Sequence, residues 1–105
     1  MITAKVIKRN GEYSSFICKG HAGYDDLGKD IVCSAVSMLV INTGNSLEKL
    51  TGNRVKGVDD GSLSWDFLEP PDEKGVLLMD SMILGLNTIS RKYGNDYLRL
   101  TIEEV

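Results

Sequence analysis

The chain has one histidine and two cysteines, and His21 stands twelve residues before Cys33. A thiol with an imidazole nearby is the equipment of nucleophilic catalysis: the thiolate attacks a carbonyl and the imidazole moves the proton. The setting suits that chemistry. Gly20-His21-Ala22-Gly23-Tyr24-Asp25-Asp26-Leu27-Gly28-Lys29 is a glycine-rich, polar and mobile connection, longer than most in a compact domain. Asp30, which follows it, is a good helix N-cap. Cys33 then becomes the third helical residue, where backbone N–H groups lack intrahelical partners and the positive end of the helix dipole favours thiolate over thiol. The Asp30 carboxylate opposes that effect, or else orients His21 as the third member of a triad; the spacing admits both capping and orienting. Ser37, one turn beyond Cys33, can support the thiol by hydrogen bonding or bond back to its own helix.

Blander descriptions compete with this one. An isolated cysteine on an apolar helix is usually a small buried hydrophobe, and a lone loop histidine usually has no role. The joint placement, on a glycine-rich loop and at a helix start, makes a reactive pair worth considering. Metal binding is weaker: Cys18, His21 and Cys33 with Asp25 or Asp30 could supply ligands, but the second close pair of a structural zinc site is missing. No metal or other cofactor is therefore expected. A serine hydrolase lacks its G-x-S-x-G elbow. Asp59-Asp60-Gly61 has too few ligands for a calcium loop and reads as a hairpin turn. Gly20-x-x-Gly23 lacks the Gly-Lys-Ser/Thr continuation of a P-loop. Trp65 and Phe67 read as core, and Met79 and Met82 as either core or a dimer face.

The elements that would position the pair are legible from periodicity. Asn10-Gly11 between β-forming stretches at 2–8 and 13–18 is the strongest two-residue hairpin signal, and Asp60-Gly61 between 55–58 and 63–68 repeats it. Leu63, Trp65 and Phe67 alternate with Ser62, Ser64 and Asp66, so one face is buried and the other wet. Val32, Ala35, Val36, Leu39, Val40, Thr43, Leu47 and Leu50 follow helical spacing over 31–50, with Gly52 as the stop. Val76, Met79, Met82, Ile83, Leu86, Ile89 and Tyr93 form a second stripe after Pro70-Pro71-Asp72, ended by Gly94. Leu98, Leu100 and Ile102 share one face of a last strand at 97–103. The order ββαββαβ, with a mostly antiparallel sheet and two helices, predicts an α+β two-layer sandwich.

Composition bounds the rest. At 105 residues and 42% hydrophobic, the chain is expected to form a single domain over 1–105 with a real core. Twelve Lys and Arg against fifteen Asp and Glu give a charge of −3, which argues against a dedicated nucleic-acid binder. No apolar run approaches the roughly 20 residues of a membrane span. Alternating polar residues in Met1-Ile2-Thr3-Ala4-Lys5-Val6 do not resemble a signal peptide, and two unpaired cysteines suit a reducing compartment, so a cytoplasmic location is expected.

Gly20-His21-Ala22-Gly23, followed by Gly28-Lys29-Asp30-Ile31-Val32-Cys33-Ser34-Ala35-Val36-Ser37, resembles the signature of the ribosomal-processing cysteine protease family Prp. That pattern is Gly-His-Ala, a variable glycine-containing loop, then Asp, two aliphatics, Cys, two small residues, Val and Ser. Chain length and element order are also similar to the family. Ser34 stands where Ala is more usual, and the acidic Tyr24-Asp25-Asp26-Leu27 stretch belongs to the variable part, where it could alter substrate preference.

The resemblance implies an intracellular cysteine endopeptidase whose substrate is large-subunit ribosomal protein twenty-seven made with an N-terminal extension. Cleavage would follow a pair of phenylalanines. It also implies Cys33 as nucleophile, His21 as general base and then acid, and a homodimer. Asp30 and Ser37 would support the pair, and Gly20, Ala22, Gly23 and Gly28 would belong to a substrate loop that closes over the peptide and completes the dyad. The helix N-terminal N–H groups, that of Cys33 included, would serve as oxyanion donors. An exposed sheet edge could pair with the peptide while an apolar pocket takes the phenylalanine. Asp25, Asp26 and Glu69 could help attract a basic ribosomal protein. The alternatives are a non-catalytic binding module or assembly factor for a ribosomal protein, in which Cys33 is structural, and a thiol hydrolase of small amides.

Overall fold

The structure is a computed structural model that describes residues 1–26 and 30–105. Its elements run β1 (Ile2–Arg9), β2 (Glu12–Gly20), α1 (Ile31–Leu50), β3 (Val55–Asp59), β4 (Leu63–Phe67), α2 (Glu73–Tyr93) and β5 (Leu98–Glu104). The sheet order is β3-β4-β2-β1-β5. Every pairing is antiparallel except β1 with β5. This is the expected α+β sandwich, with one parallel pair that the sequence pattern did not reveal.

The two hairpins turn differently. Asn10 and Gly11 both have positive φ, 52° and 77°, as a two-residue type I′ turn requires. The second hairpin pairs Asp59 with Leu63, so its loop is the three residues Asp60, Gly61 and Ser62 rather than the two expected. Only Gly61 has positive φ there (97°), and the Asp60 N–H donates to the Ser62 carbonyl at 3.2 Å.

One sheet face is apolar and lies under both helices. Cross-strand neighbours Ala4 and Cys18, Val6 and Phe16, Phe16 and Trp65, and Ile2 and Leu98 share that face. All of them are buried, with Val32, Val36, Val40 and Leu47 of α1 and Met79, Met82 and Leu86 of α2 packed above. The opposite face carries Lys5, Ser15, Asp66 and Arg99. Met79 and Met82 are thus core, which decides between the two expectations for them. Leu50 departs from its predicted stripe: it is the last residue of α1 and 73% exposed. Val76 is also exposed, while Gly75 before it is buried against Asn53 and Pro71. α1 spans the predicted 31–50, and its C-cap is Thr51, just before Gly52, with the Thr51 hydroxyl donating to the Leu47 carbonyl at 2.6 Å.

Candidate active site

Asp30 organises the start of α1 and the loop before it. Its Oδ1 accepts from the N–H groups of Val32 and Cys33, both at 3.0 Å, which is N-cap geometry. Its Oδ2 accepts from Tyr24 N–H at 3.0 Å and Asp25 N–H at 3.4 Å. Burial would push this carboxyl up, but donors from Cys33, Tyr24, Asp25 and Val32 outweigh that and hold it below the usual carboxylate range. Both oxygens therefore face backbone donors, and no His21–Asp30 bond forms among the described residues. Asp30 caps the helix and pins the loop.

The same cap corrects the expected oxyanion donors. Val32 and Cys33 N–H are spent on Asp30 Oδ1, and Ser34 N–H donates to the Asp30 carbonyl at 3.1 Å. A carboxylate at the N-cap satisfies the very groups that a developing oxyanion would need.

Cys33 is half-buried on the first turn of α1, and its Sγ accepts a hydrogen bond from Ala22 N–H at 3.1 Å. Ala22 is itself buried, so the loop backbone is locked against the sulfur and fixes its orientation. His21, one residue earlier, is exposed and lines the same cleft of about 280 Å³ as Cys33, Ser37 and Gly20. Among the described residues His21 makes no direct hydrogen bond to Cys33, and the Ser37 hydroxyl bonds to neither the sulfur nor its own helix. Gly20 carries φ 96°, and a Cβ there would collide with the Met1 carbonyl, so only glycine fits. Gly23 also has positive φ (72°) but faces open space. Gly28 lies outside the described residues.

Cys18 shares the cleft but differs chemically. It is buried, and burial first, then the neighbouring Cys33 charge, pushes its thiol up to about 11. Near neutral pH it is therefore a protonated wall residue. Among the described residues no group of three His, Cys, Asp or Glu side chains is placed to hold a metal ion. Asp30, one of the possible ligands, is occupied by its four backbone donors.

Sequence reasoning missed part of this site. The β3–β4 tip brings Asp59, Ser62 and Leu63 to the cleft, opposite Ile41 of α1. Asp60-Gly61 signals a turn, yet only the pairing of β4 with β2 delivers that turn to the mouth of the site. Tyr24, read as part of a variable stretch, packs edge-on against Tyr93 at 5.4 Å and Tyr97 at 5.1 Å between ring centroids, tying the loop to the end of α2 and the residue before β5.

With this geometry in hand, comparison with known proteins is specific. The family model described as cysteine protease Prp matches residues 1–98. A ribosomal processing cysteine protease Prp of Bacillus subtilis is 36% identical over 94 residues, covering 83% of each chain. The crystal structure of an essential ribosomal processing protease Prp from Staphylococcus aureus, in complex with a covalently linked product peptide, superposes with a TM-score of 0.91 at 27% identity, over 98% of this chain and 100% of that one. The same enzyme in complex with a substrate peptide gives a TM-score of 0.85 at 26% identity, again over 98% and 100%. The chain belongs to the cysteine protease Prp family.

Proposed function

We propose that this protease removes the N-terminal extension of large-subunit ribosomal protein twenty-seven, using Cys33 as nucleophile and His21 as its proton carrier. The observation that carries the reading is the convergence of His21 and Cys33 on one cleft, with the Ala22 N–H bonded to the sulfur. The covalently linked product peptide of the Staphylococcus aureus relative supports a covalent route.

In this mechanism Cys33 Sγ, as thiolate, attacks the scissile carbonyl and forms an S–C bond, and the carbonyl oxygen becomes an oxyanion. Collapse of that intermediate breaks the C–N bond while His21 gives a proton to the leaving amine. A thioester remains. Water, losing its proton to His21, then attacks the thioester carbonyl, releasing the new carboxylate and the thiolate. His21 serves both proton positions from the cleft that it shares with Cys33. Asp30 is a positioning residue, acting through the backbone of Tyr24, Asp25 and Cys33. Ser37 lines the same cleft and is assigned a supporting role there. Homodimerisation and a cytoplasmic location belong to the same reading; exposed Leu77 and Leu84 on α2 supply apolar surface for a second copy.

Mass spectrometry of an extended ribosomal-protein N-terminal peptide tests this. The native protein and Cys18→Ala are expected to cleave after the aromatic pair, and Cys33→Ala and His21→Ala are not. Tight binding without cleavage by all four proteins would instead establish a binding module.

A further inference from the structure

Of the two cysteines, the proposed mechanism uses Cys33 and leaves Cys18 without a task. Cys18 sits near the end of β2 on the helix-covered face of the sheet, with Ala4 and Leu63 as its cross-strand neighbours. Cys33 is on the first turn of α1, and both cysteines line the cleft of about 280 Å³. The chain itself holds them near one another. Gly20, two residues after Cys18, turns the backbone with a φ of 96°, and Ala22, two residues further, donates its N–H to the Cys33 sulfur at 3.1 Å.

The two thiols differ in the way that a stepwise oxidation requires. Cys33 is half-buried at a helix start and opens to the cleft, where a thiolate is accessible to a small oxidant. Cys18 is buried, and burial first, then the Cys33 charge, pushes its thiol up to about 11. A sheltered, protonated thiol reacts slowly with peroxide, so oxidation enters at Cys33. Once Cys33 is a sulfenic acid its sulfur no longer carries the thiolate charge. One of the two influences that keep Cys18 protonated is then removed, and only burial remains.

We infer that Cys18 is the resolving thiol for an oxidised Cys33, the two closing a reversible disulfide in the cleft when a peroxide reaches the protein. In the first step the Cys33 thiolate attacks a peroxide oxygen. An S–O bond forms, the O–O bond breaks, and the departing hydroxide or alkoxide takes up a proton. The sulfur is oxidised by two electrons and the peroxide is reduced by two. In the second step the Cys18 sulfur attacks the sulfenic sulfur; the S–S bond forms, the S–O bond breaks, and hydroxide leaves with the Cys18 proton as water. A dithiol reductant returns both thiols by exchange. The bridge removes the nucleophile from use and also keeps its sulfur from the sulfinic and sulfonic acids, which are not reversed by thiols. The inference rests on Cys33 as the activated thiol of the proposed function and adds to it a reversible modification site.

The test is non-reducing peptide mapping of the full chain after limiting and then excess hydrogen peroxide near neutral pH. Trypsin cuts after Lys19 and Lys29, between the two cysteines, so a bridge appears as two joined peptides. Bridging also reports the separation, since a disulfide needs Cα atoms about 4.4–6.8 Å apart. The native protein is expected to give the Cys18–Cys33 pair, about 2 Da lighter than its two peptides together, and dithiothreitol to restore both thiols and peptide cleavage. In Cys18→Ser, excess peroxide should carry Cys33 to species about 32 and 48 Da heavier. Fragment spectra separate that oxygen from any added at Met38 on the same peptide. The activity recovered with dithiothreitol, as a fraction of each protein's own starting value, should be at least about fivefold lower in Cys18→Ser than in the native protein. Should Cys18→Ser lose its native melting transition, Cys18→Ala takes its place, and the joined pair in the unaltered protein decides without either. Oxidation of Cys33 without the joined pair, or equal recovery with and without Cys18, overturns the resolving role. A Cys33 that neither gains oxygen nor forms a bridge overturns the activated-thiol reading itself, and the inference with it.

Discussion

Asp30 Oδ1 accepts from Val32 and Cys33 while Oδ2 accepts from Tyr24 and Asp25, so a single carboxylate holds the nucleophile's turn and the histidine-bearing loop in one frame. Because its folded-state pKa is depressed, its contribution to stability is complete above the ordinary carboxylate value of 3.8 and is lost as pH falls through the lower folded value. Asp72 behaves alike: the N–H of Gly75 and the side chain of Asn53 hold it down at the start of α2. Thermal melts from pH 7 down to pH 2 are expected to show Tm falling below about pH 4. Asp30→Ala should lower Tm at neutral pH and flatten part of that acid limb, with Asp72 sustaining the remainder. An unchanged acid limb would mean that Asp30 is not held as described. The capping role of Asp30 was legible from its place before an apolar helical stripe. Its second role was not, because nothing in a sequence reports where Tyr24 and Asp25 backbone amides will turn.

Among the elements, the 20–26 segment shows how a glycine-rich connection becomes a support. The expectation was a mobile loop ordered by substrate; in the structure Ala22 is buried against Cys33 and the Tyr24 ring is wedged against Tyr93 and Tyr97. Each edge-on aromatic contact contributes about 0.5–1.5 kcal/mol, enough together to shift a docked–undocked equilibrium by about tenfold or more. Tyr24→Ala is therefore expected to reduce kcat/KM for peptide by about that factor with little loss of Tm, since the ring is half-exposed and outside the core. Tyr24→Phe should restore activity, as the packing involves the ring. Full activity in Tyr24→Ala would show that the aromatic contacts do not position His21. The helices themselves were readable because an apolar stripe of this length has few alternatives. Leu50 and Val76 escaped the pattern because a stripe records which side of a helix is apolar, not where the neighbouring layer ends.

For the whole molecule, the local signals of Asn10-Gly11, the two stripes and the last strand were sufficient for the layer architecture. The site was only half visible. His21, Asp30 and Cys33 lie within twelve residues of one another in the loop and first turn, so their association is local. Asp59, Ser62 and Leu63 reach the same cleft only because β4 pairs with β2, a contact between segments far apart in the chain. Pairing of that kind depends on register across the sheet, which neither composition nor periodicity encodes. The fold also brings both cysteines to one cleft while giving them opposite characters: Cys18 in the buried wall with its thiol pushed up to about 11, Cys33 at the helix start with its sulfur held by Ala22. The most direct test of the Cys33–His21 pair is the rate of iodoacetamide alkylation at each cysteine at pH 7–8, located by peptide mapping in native protein and in His21→Ala. Cys33 is expected to label at least about tenfold faster than Cys18, and to slow when His21 is replaced. Equal labelling of the two thiols, or a Cys33 rate indifferent to His21, would contradict the assignment of the nucleophile and its base.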